Sequence, residues 1–290
     1  MAATARLWIT ALWYGPCKWA AMAQRSLLSA AAAGLLSFGF AQSGGTPPEP
    51  GVFPLRTLDH HAFQAGEKLS YILHYGWLNA GTATLELQRS EKEVGGRTVL
   101  HAVGIGESIG AFKAFYTVKD RYETYFDQQG VFPYVFIRRV NEGGYTINQD
   151  YLFLQQRHKV DTQDKKTFDV PAHVQDMLSA FYYARAIDYS NAAPGQEYVI
   201  PCFMDNERWD LRMRFVKKET IKLRNGKYRC LKFQPVVQEG RIFKTNDDLN
   251  VWITDDANHI PVLAQAKVLV GSIKMELSGY AGLANPLAKE

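Results

Sequence analysis

EKLSYILHYGWLNAGTATLEL, residues 67–87, decides the fold class. Leu69, Tyr71, Leu73 and Tyr75 recur at every second position, and Ala83, Leu85 and Leu87 resume the alternation after Gly81. Successive side chains of an extended strand point to opposite faces, so a period of two marks strands with one face buried. The stretch reads as a hairpin-like pair of strands.

The same period continues along the chain. Segments 98–106, 116–127, 134–140, 145–154 and 157–163 alternate in the first half, and 197–204, 209–216, 219–224, 227–236, 249–254, 261–268 and 271–280 in the second. Asn225-Gly226, between two alternating segments, is a two-residue turn signal. One segment breaks the pattern: 174–187 (VQDMLSAFYYARAI) sets Val174, Met177, Leu178, Phe181 and Arg185 along one side of a helix, with Pro171 before it and Asp176 in the first turn, where a carboxylate suits the helix dipole. The expectation is an all-β, mainly antiparallel protein with curved or barrel-like sheets, whose single helix plugs one end or joins two sheets. Strands outnumber helices too heavily for a βαβ fold. A lipid-facing barrel is disfavoured, because charges occur on both strand faces and the chain ends in LAKE rather than in an aromatic strand.

The N-terminus carries the localisation signal. From Met22 the chain reads MAQRSLLSAAAAGLLSFGFAQSGG, with Arg25 as a positive start, an apolar run over 26–40, and Gly39 and Ala41 placed for cleavage after Ala41. That is the layout of a Sec-type signal peptide, with translation expected to start at Met22. The run is shorter than the ~20 residues of a permanent transmembrane anchor. Residues 42–62 read as a flexible tether, 63–282 as one β-rich domain and 283–290 as a C-terminal tail. The whole chain has 33 Lys and Arg against 29 Asp and Glu, but residues 1–41 hold Arg6, Lys18 and Arg25 and no acid, leaving 30 against 29. The basicity therefore belongs largely to the leader, and no nucleic-acid partner is expected. The expected location is periplasmic or secreted.

Two cysteines follow the leader, Cys202 and Cys230, and an oxidising compartment would let them form one disulfide or leave them as buried thiols. No G-x-S-x-G, Walker loop or H-E-x-x-H occurs. His60 and His61 are adjacent, so on an extended chain they point apart; no metal or cofactor is expected. The densest polar cluster, around Asp120, Tyr122, Glu123, Arg138 and Arg139, reads either as a polar cleft for an anionic or sugar ligand or as cross-strand salt bridges. Asp255 joins the candidates as an acid or base, although Asp255-Asp256-Ala257-Asn258 is also good turn chemistry. Trp77, Tyr151 and Trp252 are candidate cavity aromatics. The apolar run SIGAFKAF at 108–115 reads as a loop that would flank a ligand opening.

Four pieces resemble the domain of unknown function 3108 family of exported bacterial proteins: FQAGEKLSYILHYGWLNAGTATLEL at 63–87, DRYETYFDQQGVFPYVFIRRVNEGG at 120–144, VQDMLSAFYYAR at 174–185 and VWITDDANHIPVLAQAKVLVGSIKMEL at 251–277. The resemblance implies an exported β-rich domain and supplies no reaction. Its recurring GE, D-x-Y-E and W-I-T-D-D read as architectural. Three functions fit the sequence. The first is an envelope accessory or binding protein holding an apolar or glycan ligand, or an envelope protein partner, on a curved sheet. The others are a hydrolase of envelope polysaccharide or lipid using carboxylates such as Glu123 or Asp255 with a Tyr or His, and a structural module pairing through a sheet edge.

Overall fold

The computed structural model describes residues 53–236, 249–267 and 272–290. The leader, most of the tether, and Val268 and Gly271 at the ends of two expected strands lie outside the described residues.

The elements are β1 (Lys68–Tyr75), β2 (Leu78–Val94), β3 (Arg97–Ser108), α1 (Gly110–Phe115), β4 (Lys119–Asp127), β5 (Pro133–Glu142), β6 (Tyr145–Leu154), β7 (Lys159–Thr162), β8 (Thr167–Asp169), α2 (Met177–Arg185), β9 (Glu197–Met204), β10 (Glu207–Leu223), β11 (Gly226–Pro235), β12 (Leu249–Thr254), β13 (Pro261–Lys267) and β14 (Ser272–Ala281). All fourteen strands form one antiparallel sheet in the order β8-β7-β6-β5-β4-β3-β2-β1-β14-β13-β12-β11-β10-β9. The expected all-β class is therefore what the chain adopts. Each half is a meander, and the pair β1·β14, with Leu69 opposite Tyr280, joins them.

The two edge strands, β8 and β9, are consecutive in sequence, and α2 lies in the link between them. Phe168 of β8 and residue 175 both reach β9, so the two edges of the sheet come together and the sheet curls around the helix. Residue 175 closes the seam: Gln175 N–H donates to Pro201 O and its carbonyl accepts from Phe203 N–H, both at 2.8 Å. Phe168 of β8 packs on Phe203 of β9 with ring centroids 5.2 Å apart. Gln175 thereby satisfies two backbone groups near the C-terminal end of the β9 edge.

Helix α2 has nine residues, fewer than the ~12–15 that hold a helix on their own, so caps and packing must support it. Asp176 accepts from Leu178 N–H and Ser179 N–H, and the Ser179 hydroxyl accepts from Asp176 N–H, a complete capping box. Ala180 packs with Ile200, Cys202 and Leu211 of β9 and β10, while Phe181 and Tyr182 join the cluster of Leu69, Leu85, Leu100 and Phe126 on β1–β4.

Three local readings shift. Segments 209–216 and 219–224 are one strand, β10, whose register slips between Phe215 and Lys217; the bulge breaks the alternation that sequence reads as continuity. Leu223 pairs with Gly226, so the turn residues are Arg224 and Asn225, and Gly226 sits at φ +145°, a conformation only glycine adopts readily. The apolar loop at 108–115 folds as the short helix α1.

Both ends of the described chain are fastened to the sheet. Arg56 donates to Gly130 O at 2.6 Å and Val131 O at 2.7 Å, Leu58 N–H to Gln129 O at 2.9 Å, and the Phe53 ring stacks on His158. In the tail, Ala288 O accepts from Arg229 N–H and Glu290 N–H donates to Lys227 O, each at 2.9 Å.

Candidate binding cavity and polar clusters

The concave face of the second half encloses a cavity of about 70 Å³ between α2 and β10–β14. Leu211, Met213, Phe233, Val251, Ile253 and Ala264 form much of its wall. Arg185, Tyr189 and His259 are its polar liners; the Arg185 guanidinium is bonded elsewhere, and the Tyr189 hydroxyl donates to Ala184 O at 2.7 Å. His259 Nδ1 lies 2.8 Å from Arg185 O, and burial holds the ring's pKa below its ordinary value, which favours the neutral imidazole.

Arg185 sits on the helix face that the sequence shows as apolar. Its guanidinium makes a two-pronged pair with Glu67 of the GE motif, Nη1 to Oε1 at 2.5 Å and Nη2 to Oε2 at 2.7 Å. Nε donates to Asn258 O at 2.9 Å and Nη2 to Ala62 O at 3.0 Å. Phe63, Phe181 and Tyr182 surround the group at 5.5–5.6 Å. With Glu67 1 % exposed and Arg185 2 %, the pair bolts the helix to the start of β1 and to the β12–β13 turn. A charged residue at a helical apolar position was the available signal, and its carboxylate partner was the missing half.

The expected polar cleft divides between two faces. Tyr122 pairs with Arg138 across β4·β5, and Asp120, Tyr122 and Arg138 are all buried inside the curl. Arg138 Nη1 bonds Gln149 Oε1 and Asp205 Oδ1, each at 3.2 Å, and Gln149 Nε2 donates to Asp205 Oδ1 at 2.8 Å. Asp205 belongs to the β9–β10 turn, so this network ties the far edge of the sheet to β5 and β6. Asp120 Oδ1 accepts from Asn141 N–H at 3.1 Å, and burial pushes its pKa up to about 6 against the pull of the Asn141 amide and a hydrogen bond shared with Glu142.

Glu123 and Arg139 occupy the opposite, outer face. Glu123 bonds Arg121 at 2.7 Å and His101 at 2.8 Å. Arg139 bonds Asp150 at 2.6 and 3.1 Å. Asp255 lies in the other half, paired with Lys218 at 3.2 Å. The six residues therefore do not converge. Asp256 performs the expected turn chemistry, accepting from Asn258 N–H and the Thr254 hydroxyl, each at 2.9 Å.

None of the candidate aromatics lines the cavity. Trp77 is 88 % exposed at the β1–β2 turn. Tyr151 packs among Phe136, Phe153 and Phe203 in the first half. Trp252 points away from its neighbours Val251 and Ile253, which do line the cavity, and donates to Glu219 Oε1 at 2.8 Å. Phe181, Tyr189 and Phe233 supply the aromatic wall instead.

Cys202 and Cys230 are free and buried, which corrects the disulfide reading. Cys202 lies opposite Trp209 and Cys230 opposite Glu219, so β10 runs between them. That offset along β10, at ~3.3 Å per residue, separates them by roughly 30 Å, whereas a disulfide needs Cα atoms within ~7 Å. Among the described residues no group of three or more His, Cys, Asp or Glu side chains is placed to hold a metal ion. None of their helices is long and apolar enough to cross a membrane.

Comparison with solved structures finds remote likenesses. A β-barrel-like protein of domain of unknown function DUF1849 from Brucella abortus matches at 9% identity and TM-score 0.46, covering 77% of this chain and 99% of its own. A protein described as a putative lipoprotein from Parabacteroides distasonis matches at 12% identity and TM-score 0.35, covering 78% of this chain and 99% of its own. No curated protein matches the sequence. The family model of DUF3108, described as a protein of unknown function, spans residues 70–278, from β1 into β14, and the chain belongs to that family.

Proposed function

We propose that this protein is an exported envelope binding protein that takes the apolar end of a ligand, the tip of an acyl chain or similar hydrocarbon, into the small cavity between α2 and β10–β14. The observation that carries the reading is the cavity's chemistry. Its wall is hydrocarbon and aromatic ring, the Arg185 guanidinium is engaged with Glu67, Ala62 O and Asn258 O, and His259 Nδ1 lies against Arg185 O. A buried water requires two to four polar partners, so such a space favours an apolar guest over water or a sugar. The leader at 22–41 supports export.

The hydrolase reading draws less support, because Glu123 and Asp255 sit on different halves and each is held by cations. Edge pairing draws less support too: Gln175 bridges to β9 at Cys202 and occupies part of its edge, and β8 is three residues long.

The test is binding of a fluorescent fatty acid to the purified protein, with far-UV circular dichroism as the check on folding. Ala264→Phe places a ring into the cavity and should weaken binding about tenfold or more, whereas Leu211→Ala enlarges it and should retain binding. Absence of binding by the wild-type protein, or equal affinity in folded Ala264→Phe, refutes the reading.

A further inference from the structure

Three turns at one end of the sheet form a continuous rim. α1 lies over the β1–β2 hairpin: Ile109 N–H donates to Ala80 O at 3.0 Å, and Phe112 packs against the cluster of Leu73 and Ala80. The β5–β6 turn joins on the other side, where Gly143 N–H donates to Thr117 O at 2.8 Å and Val118 bridges to Glu142. Phe112 and Tyr116 thus anchor α1 downward, and the opposite side of the helix faces solvent.

The outward side chains are aromatic. Trp77 is 88 % exposed, Phe115 89 % and Tyr145 46 %, one on each of the three turns. Ala111 and Ala114 are exposed beside Phe115. Residues 75–85, 109–119 and 143–149 contain Lys113 and Lys119 and no acidic residue. Glu107 faces Lys119 across β3·β4, so Lys113, between Phe112 and Phe115, is the cation set among the aromatics.

We infer that this rim docks end-on into the interfacial region of a lipid bilayer bearing anionic headgroups. Large aromatic side chains left in water forgo their burial energy, and here they stand on separate protruding turns rather than around a hollow. A rigid protein partner would need a matching set of pockets, whereas the headgroup layer deforms around protruding rings. Trp and Tyr favour that layer because one part of the ring is apolar and the other polar. Lys113 adds attraction to anionic phosphates while its methylenes lie along the apolar surface. The inference does not depend on what fills the cavity.

The test uses the full chain with vesicles of phosphatidylethanolamine and phosphatidylglycerol at three to one, carrying bromine-labelled acyl chains. The quenching lost on Trp77→Phe isolates the contribution of Trp77 and cancels that of other tryptophans and of the N-terminal segment. Trp77 should be quenched, and Trp77→Ser with Phe115→Ser should lower the partition coefficient about tenfold. Lys113→Glu should weaken binding to these vesicles and leave binding to phosphatidylcholine vesicles unchanged. Both residues are exposed, so the variants should fold as the wild type does. Unquenched Trp77, or unchanged partitioning of the double variant, overturns the inference. So does sedimentation showing a dimer that the double variant abolishes while Trp77 stays unquenched. Ala264→Phe should dock normally, which separates failure here from failure of the cavity reading.

Discussion

Removing one partner of the Arg185–Glu67 pair should be the most damaging conservative change in the molecule. Both groups are almost fully buried, and each takes its compensation from the other. Arg185→Met keeps the side chain's bulk among Phe63, Phe181 and Tyr182 but leaves the Glu67 carboxylate without its guanidinium. It also leaves Ala62 O and Asn258 O without those donors. Breaking a buried pair in this way costs about 3–5 kcal/mol. For a domain of this size that lowers Tm by roughly 6–20 °C, at about 2–4 °C per kcal/mol. Glu67→Leu should cost a similar amount by stranding the cation. The double variant removes both charges together and should recover much of the loss, since apolar replacements of buried pairs are often nearly neutral. Urea unfolding of the wild type, both single variants and the double variant at pH 7.5 completes the cycle. Single variants within about 1 kcal/mol of wild type, or a double variant as unstable as the two losses added, would refute the account of this pair as the bolt between helix and sheet.

Two further outcomes follow from the buried groups. Asp120 and Asp176 are pushed up to about 6 by burial. An acid with a raised folded-state pKa binds its proton more tightly when folded, so each contributes a loss of stability as pH rises from about 4 through 6, and none further above that. Asp120→Asn should therefore gain on the wild type by up to about 3 kcal/mol between pH 4 and 7.5; urea midpoints at both values check this, and a pH-independent difference counts against it. Burial pushes the Cys230 thiol up to about 12 and the Cys202 thiol higher still. Both should resist alkylation until the protein unfolds and then react without prior reduction, as peptide mass spectrometry would show; a disulfide-linked peptide would contradict the strand order.

Much of the fold was legible because strand periodicity is local. Leu69, Tyr71 and Leu73 are buried where the alternation places them, and Met177, Phe181 and Arg185 share the buried side of α2 as their spacing requires. Where the chain slips by one residue, as between Phe215 and Lys217, the pattern misleads, because a bulge reverses which residues face inward. The candidate site was less legible. Alternation along β4 puts Asp120 and Tyr122 on the face opposite Glu123, yet which side is the interior depends on the direction in which the sheet curls.

By itself the sequence determined an antiparallel β protein with one interior helix, an apolar N-terminal run and no common catalytic signature. Each of these rests on contacts or chemistry a few residues apart. Only the tertiary structure decided that Glu67 would meet Arg185, that Cys202 and Cys230 would lie far apart on either side of β10, and that the cavity would be walled by β10–β14 and α2. Those outcomes follow from strand order and curvature, which depend on how edges distant in sequence close on one another rather than on the pattern within any strand.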